Sequence, residues 1–251
     1  MKSKLFSKLV DMVTNLIFPK KIRCIFCGKD INNFDEKPYC EDCEKSLPFN
    51  NGHRCKVCDM EILETESVCE RCKHTHKSFD KARASFKYEN EVRSVIVKLK
   101  DNNGKYLAEP MAKIMLNSLT DDMKNFDMII PIPMTESKLK KRGYNQATLL
   151  AKEISSLCNT PLREDILLKV KDTKPQKELS FKARQKNLDS AFKVVKRKDL
   201  AGKNILLVDD VMTTSATANV CSDILKKHCN KVFVVVFARN TIKIDKNLKK
   251  F

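Results

Sequence analysis

Eight of the eleven cysteines fall in four C-x-x-C pairs: Cys24/Cys27, Cys40/Cys43, Cys55/Cys58 and Cys69/Cys72. A C-x-x-C turn aims two thiolates at one ion, and two such turns complete the tetrahedral sulfur shell that zinc prefers. Four pairs therefore predict two structural zinc sites. Sequential pairing is expected, first with second and third with fourth; interleaved pairing, first with third and second with fourth, stays open on spacing alone. Redox C-x-x-C chemistry and iron–sulfur ligation compete, but neither accounts for four pairs within 49 residues as simply as zinc does. In "CIFCGK" a glycine, Gly28, follows the second cysteine, where a knuckle turn often takes positive φ. A segment so poor in large apolar residues cannot fold on its core alone, so the metal supplies the folding energy. His53, His74 and His76 lie close by, but four thiolates already complete each site, which leaves the histidines as surface or contact residues.

A second constellation is "ILLVDDVMTTSAT", residues 205 to 217. Four apolar residues run into two adjacent aspartates and then into small and hydroxylated residues. At the end of a buried strand, Asp209 and Asp210 accept hydrogen bonds from hydroxyls. The following backbone amides, with Thr213, Thr214, Ser215 and Thr217, suit a phosphate at a helix N-terminus. A ligand with vicinal hydroxyls beside a phosphate fits, which is the description of a 5-phosphoribosyl group. A strand end with an ordinary N-cap explains one Asp or one Thr but not the whole arrangement.

The elements that must position these groups follow from periodicity. Strands are expected at 84–88, 127–133, 191–195, 204–210 and 231–238, with helices near 91–100, 105–119, 145–158 and 214–228. Alternation of this kind predicts an α/β fold with a mostly parallel sheet flanked by helices, whose ligands bind at the carboxyl ends of strands. The expected organisation is an amphipathic helix over 1–20, a double zinc-ribbon module over 21–80 and the α/β domain over 81–251. In the first of these, Phe6, Leu9, Val10, Val13, Leu16 and Ile17 share one helical face. Such a face packs on its own protein or meets a membrane surface.

No apolar run approaches the roughly 18 residues that span a bilayer, and the N-terminus lacks a signal-peptide pattern. A cytoplasmic location is expected, with the amphipathic helix as a route to a peripheral membrane contact. Cys158, Cys221 and Cys229 lack paired spacing and read as buried apolar residues.

The net charge of +17 is unevenly placed. Residues 1–80 carry 14 Lys+Arg against 13 Asp+Glu and residues 81–251 carry 35 against 19, so the excess splits as +1 and +16. Two zinc ions on eight thiolates add a further −4 to the first part. Residues 169–198 hold 11 basic and 3 acidic side chains, about half the excess. Lys174, Lys177, Lys182, Arg184 and Lys186 in this segment are candidate nucleic-acid contacts. Only Phe181 and Phe192 are aromatic there, so phosphate contacts rather than base stacking would dominate.

These stretches resemble known patterns. "ILLVDDVMTTSAT" resembles the phosphoribosyl-pyrophosphate (PRPP) motif of type I phosphoribosyltransferases. The resemblance implies that Asp209 and Asp210 are the catalytic, ribose-holding pair, and that Val211, Met212, Thr213, Thr214, Ser215, Ala216 and Thr217 form the ligand loop. The family usually has glycine where this chain has Ser215, which loses the freedom of positive φ. "IIPIPMTESKLKKRGYNQATLLAKEI" and "DTKPQKELSFKARQKNLDSAF" resemble two further segments of the ComF family, the second through Thr173, Gln176, Arg184 and Asn187. With the four C-x-x-C pairs, four motifs stand in that family's order over nearly the whole chain. Lys140 stands at the family's first Arg of R-x-R-G, Arg142 keeps the second, and Tyr144 replaces the commoner Phe. Lys140, Lys141 and Arg142 would neutralise a pyrophosphate.

The resemblance implies a double zinc ribbon before a type I phosphoribosyltransferase-like domain, with two structural zinc ions. It implies a competence protein that handles incoming single-stranded DNA during natural transformation and carries a site for PRPP or ribose phosphate. Its partners would be the competence helicase and a recombination-loading protein. An active enzyme of nucleotide metabolism, using Mg²⁺ with PRPP, is the alternative; no acceptor-base pocket is readable in the sequence.

Overall fold

The computed structural model describes residues 23–31, 37–171 and 191–240. The expected helix over 1–20 lies outside them, as do Thr173, Lys174, Gln176, Lys177, Lys182, Arg184, Lys186 and Asn187. The chain forms two compact units, Met1–Leu47 and Pro48–Phe251.

The smaller unit is the first ribbon. Its knuckle closes by the Gly28 amide donating to the Cys24 carbonyl (2.9 Å) and the Cys24 amide donating to the Lys29 carbonyl (2.8 Å). Gly28 takes φ +77, the conformation a residue without Cβ adopts most cheaply. Cys40 then starts the short helix α1 (Glu41–Ser46), which carries Cys43. The same plan recurs in the larger unit. The Asp59 amide donates to the Cys55 carbonyl (3.0 Å) and the Cys55 amide to the Met60 carbonyl (2.7 Å), and Cys69 starts helix α2 (Glu70–His74). Here Asp59 occupies the glycine seat, at φ +62.

The sequence-based boundary at 80/81 falls inside the larger unit, and the packing explains why. Residues 48–50 lie antiparallel to the first strand, with the Lys87 amide donating to the Pro48 carbonyl (2.8 Å) and the Asn50 amide to the Ser85 carbonyl (3.1 Å). The Asp59 carboxylate is buried and accepts from Arg83 Nη1 (2.7 Å), Asn50 Nδ2 (2.7 Å) and the Ala84 amide (2.9 Å). A carboxylate so fully hydrogen-bonded is tolerated in a core, and it ties the second knuckle to the strand.

The main sheet is parallel, in the order β1-β6-β5-β2: β1 (Lys81–Lys87), β2 (Met128–Pro131), β5 (Asn204–Met212) and β6 (Lys231–Arg239). The β-branched run "KVFVVVFAR" of β6 is buried from its second residue on, as befits a strand covered on both faces. Alternation puts Val232, Val234 and Val236 in one cluster with Ile205 and Leu207. Helix α7 (Ala216–Lys226) adds Val220, Cys221 and Leu225, and the second ribbon adds Cys55, Cys58 and Cys69. That ribbon is a layer of the α/β core.

Helix α3 (Asn90–Leu99) buries Val92, Val95, Ile96 and Leu99 at helical spacing. Helices α4 (Ala108–Asn117) and α6 (Gln146–Cys158) pack on each other, α4 also on β6 and α6 on β2 and β5. The expected strand at 191–195 forms β4 (Phe192–Val194), but it pairs antiparallel with β3 (Leu167–Lys169) in a separate two-stranded sheet. The lysine-rich stretch after Pro133 forms helix α5 (Glu136–Arg142), which buries none of its residues and ends at Gly143, φ +82. No helix among the described residues is long and apolar enough to cross a membrane.

Candidate functional site

The cysteines gather as two sets, Cys24, Cys27, Cys40 and Cys43, and Cys55, Cys58, Cys69 and Cys72, with each set's sulfurs within 4.8 Å of one another. Pairing is therefore sequential. The Sγ atoms of Cys24 and Cys43, of Cys27 and Cys40, and of Cys58 and Cys69 stand 3.6 Å apart. Zinc–sulfur bonds of about 2.3 Å in a tetrahedron place sulfurs about 3.8 Å apart, so both sets fit zinc. The sets differ in setting: Cys27 is exposed in the first, whereas Cys55, Cys58 and Cys69 are buried in the second. Of the unpaired cysteines, Cys221 is fully buried, and burial pushes the Cys229 thiol up to about 11, so neither offers a thiolate.

Asp209 and Asp210 sit near the carboxyl end of β5, which runs on to Met212 because the pairing with β6 continues to Met212↔Arg239. Each carboxylate accepts the amide of the next residue, Asp210 N to Asp209 Oδ1 and Val211 N to Asp210 Oδ1, both at 2.9 Å. Those bonds fix the side chains against the strand. Both line a cavity of about 620 Å³ that also holds Lys100, Lys138, Lys141, Arg142 and Lys169. Burial, and then the neighbouring Asp210 charge, push the Asp209 carboxyl well above the usual carboxylate range. Asp210 meets Lys100 Nζ at 2.8 Å. One carboxyl held toward its protonated form beside one paired with a cation offers both a donor and an acceptor to ligand hydroxyls.

A small hollow of about 80 Å³ adjoins the pair, lined by Asp209, Val211, Met212, residues 213–218 and Val236. Its floor is the turn that starts α7, whose first amides point outward without helical partners. Val211 and Met212 are walls held in the sheet, while the hydroxyl residues 213–215 form the turn. Arg142 faces the larger cavity and donates to Gln146 Oε1 (2.5 Å); Asn145 caps α6 by accepting the Ala147 amide (3.1 Å). Lys138 and Lys141 line the cavity from α5, whereas Lys140 does not.

Lys100 and Lys169 were not singled out by sequence. In a chain with 49 Lys and Arg, one more lysine carries no signal. The structure shows what sets the backbone at Lys100: the Tyr144 hydroxyl lies 2.6 Å from both the Leu99 and Asp101 carbonyls, on either side of it.

Ser215 takes φ +65, in the left-handed region, with its side chain buried and making no cap bond. A Cβ there costs about 1–2 kcal/mol. Ser215→Gly removes that strain and adds some unfolded-state entropy, for a net gain of about 1 kcal/mol. Calorimetry should show the midpoint rising by roughly 2–4 °C. An unchanged or lower midpoint would mean that the hydroxyl holds the turn.

Residues 13–73 match the double zinc ribbon domain. Over 219 residues the chain is 30% identical to competence protein F of Haemophilus influenzae, covering 85% of this chain and 88% of that one. It is 24% identical over 220 residues to competence protein ComFC of Bacillus subtilis, covering 84% and 85%. It is 22% identical over 179 residues to the DNA utilization protein YhgH of Escherichia coli, covering 69% and 78%. At 30% identity over 85% of its length the match to competence protein F is broad enough to place the chain, and so the chain belongs to the ComF family.

Proposed function

We propose that this chain takes part in handling incoming single-stranded DNA during natural transformation, and that its α/β domain binds PRPP or ribose phosphate. The observation that carries the second half is the meeting of Asp209 and Asp210 with the hollow at residues 213–218, at one strand end. The pair holds vicinal ribose hydroxyls, the turn holds the 5-phosphate, and Lys138, Lys141 and Arg142 face a pyrophosphate across the cavity. Mg²⁺ arriving with PRPP screens the pyrophosphate charge. The first half is supported by relatives named for competence and DNA utilization, and by the +16 excess of residues 81–251.

The two ligands bind different surfaces. A DNA strand lacks the 2′-hydroxyl and carries a phosphodiester on its 3′-oxygen, which the aspartate pair repels. DNA therefore lies on the basic surface, through phosphate contacts. Fluorescence anisotropy of a labelled single-stranded oligonucleotide on the zinc-loaded chain should show affinity falling linearly with salt on logarithmic axes, by several phosphates' worth. Saturating Mg²⁺–PRPP, whose own binding is read by calorimetry, should leave that affinity unchanged. Displacement of the oligonucleotide by PRPP would merge the two sites, and no heat with PRPP would refute the ribose-phosphate reading.

A groove of about 810 Å³ favours a second reading, an active phosphoribosyltransferase. It shares Pro133, Met134, Asn145 and Lys169 with the cavity, and exposed Leu139, Leu168 and Val170 give it an apolar wall for a base. Pyrophosphate release from PRPP across a panel of bases separates this reading from binding alone.

A further inference from the structure

Arg239 closes β6 with its side chain 0% exposed, and it heads the largest fully buried side chains among the described residues. Its Nη1 donates to the Cys58 carbonyl. Its Nε and Nη2 have no hydrogen-bond partner among the described residues, and no carboxylate there pairs with it. Asp59, next to Cys58 in the chain, is already engaged by Arg83 at 2.7 Å and Arg54 at 3.7 Å. A guanidinium left alone in a core is strongly destabilising, because nothing replaces its lost hydration. It requires an anion.

One stands beside it. Four thiolates on Zn²⁺ carry a net charge of −2, and the Arg239 Nη1 bond to the carbonyl of the ligand Cys58 brings the guanidinium next to that shell. We propose that Arg239 is the buried counter-ion of the second zinc centre, held beside it by the bond from Nη1 to the Cys58 carbonyl. The first centre has no need of such a partner, since exposed Cys27 leaves it open to water.

The counter-ion ties the metal to the sheet end. Arg239 is in register with Met212, and the Asn240 amide donates to the Met212 carbonyl (2.9 Å). Met212 is the last strand residue before the turn at 213–215. Loss of zinc removes the anion and leaves the cation, so the ends of β5 and β6 open and the turn loses its anchor. This last step rests on the ribose-phosphate reading only for its effect on ligand; the counter-ion role does not.

The test uses the full chain with Cys24→Ser and Cys27→Ser, so that one zinc remains. Competition with a chromogenic chelator measures its affinity. Arg239→Met should weaken zinc by about 10- to 100-fold, the range for groups that support a metal's ligands. Arg239→Lys keeps the charge and should lose less. Hydrogen exchange at 208–216 should quicken in the Met variant in step with zinc loss. Zinc held by Arg239→Met as tightly as by the parent overturns the proposal. Should Arg239→Met fail to fold, urea unfolding of Arg239→Lys with and without zinc decides: a zinc-dependent gain close to the parent's supports the role, and its complete loss overturns it.

Discussion

Cys55→Ser with Cys58→Ser is expected to abolish cooperative unfolding of the larger unit, while Cys24→Ser with Cys27→Ser leaves that unit's transition in place. Structural zinc contributes about 10–16 kcal/mol of apparent folding free energy in small domains, as much as or more than the about 5–15 kcal/mol that a whole domain has in hand. The second ribbon shares its apolar cluster with Val232, Val234, Val236, Ile205 and Leu207. Unfolding it uncovers one face of the sheet and leaves Asp59 and Arg239 to be rehydrated. The first ribbon lies in the other unit, so its loss ends there. Thermal scans followed by near-ultraviolet circular dichroism, which reports fixed aromatic packing such as Phe86 against Phe237, distinguish the two pairs of variants. Equal losses from the two pairs would contradict this division of labour.

Asp209→Asn with Asp210→Asn should separate stability from binding. The bond from a ligand hydroxyl to Asp210, the carboxylate that meets Lys100, is of the charged kind, about 1.5–3 kcal/mol, and that of protonated Asp209 is an ordinary one of about 0.5–1.5 kcal/mol, so losing both weakens PRPP by about 30-fold or more. The same change should stabilise the empty protein at neutral pH, because burial and the adjacent Asp210 charge disfavour ionised Asp209. The pH dependence gives the sign. Native Asp209 keeps its proton at pH values where the unfolded chain has released it. Its contribution is therefore most favourable in acid and is lost as pH rises from the ordinary carboxylate range toward the raised native value. The difference in melting temperature between variant and parent should widen with pH over that window, while titration calorimetry reports the binding loss. A double variant that binds PRPP like the parent would remove the pair from the site.

Local chemistry was legible in the sequence, and chemistry assembled from distant segments was not. The C-x-x-C spacing fixes two ligands per turn, so all eight zinc ligands could be written down from the sequence, while the choice between sequential and interleaved pairing waited on where the sulfurs gather. The aspartate pair and the turn after it lie in one continuous stretch, and the strand and helix around them carry clear apolar periods. Lys100 reaches Asp210 from the end of α3, more than a hundred residues away, and no local pattern joins two residues so far apart in the chain. β3 is three residues long and α5 buries none of its residues, so neither leaves a periodic trace. The division at 47/48 leaves no trace in apolar periodicity, because cysteines and a hydrogen-bonded aspartate make the second ribbon a layer of the core.

Asp59 in the glycine seat of the second knuckle makes the two ribbons unequal as grafts. Each is a knuckle followed by a short helix that starts at a zinc-ligand cysteine, so a chimaera could carry either one twice. Copying the second over the first would leave a zinc knuckle with an aspartate at its turn and little else changed. Copying the first over the second would restore the turn glycine and the zinc shell but leave Asn50, Arg83 and the Ala84 amide without their shared acceptor. The first knuckle is therefore the replaceable one, because only the second spends its turn residue on holding a neighbouring strand.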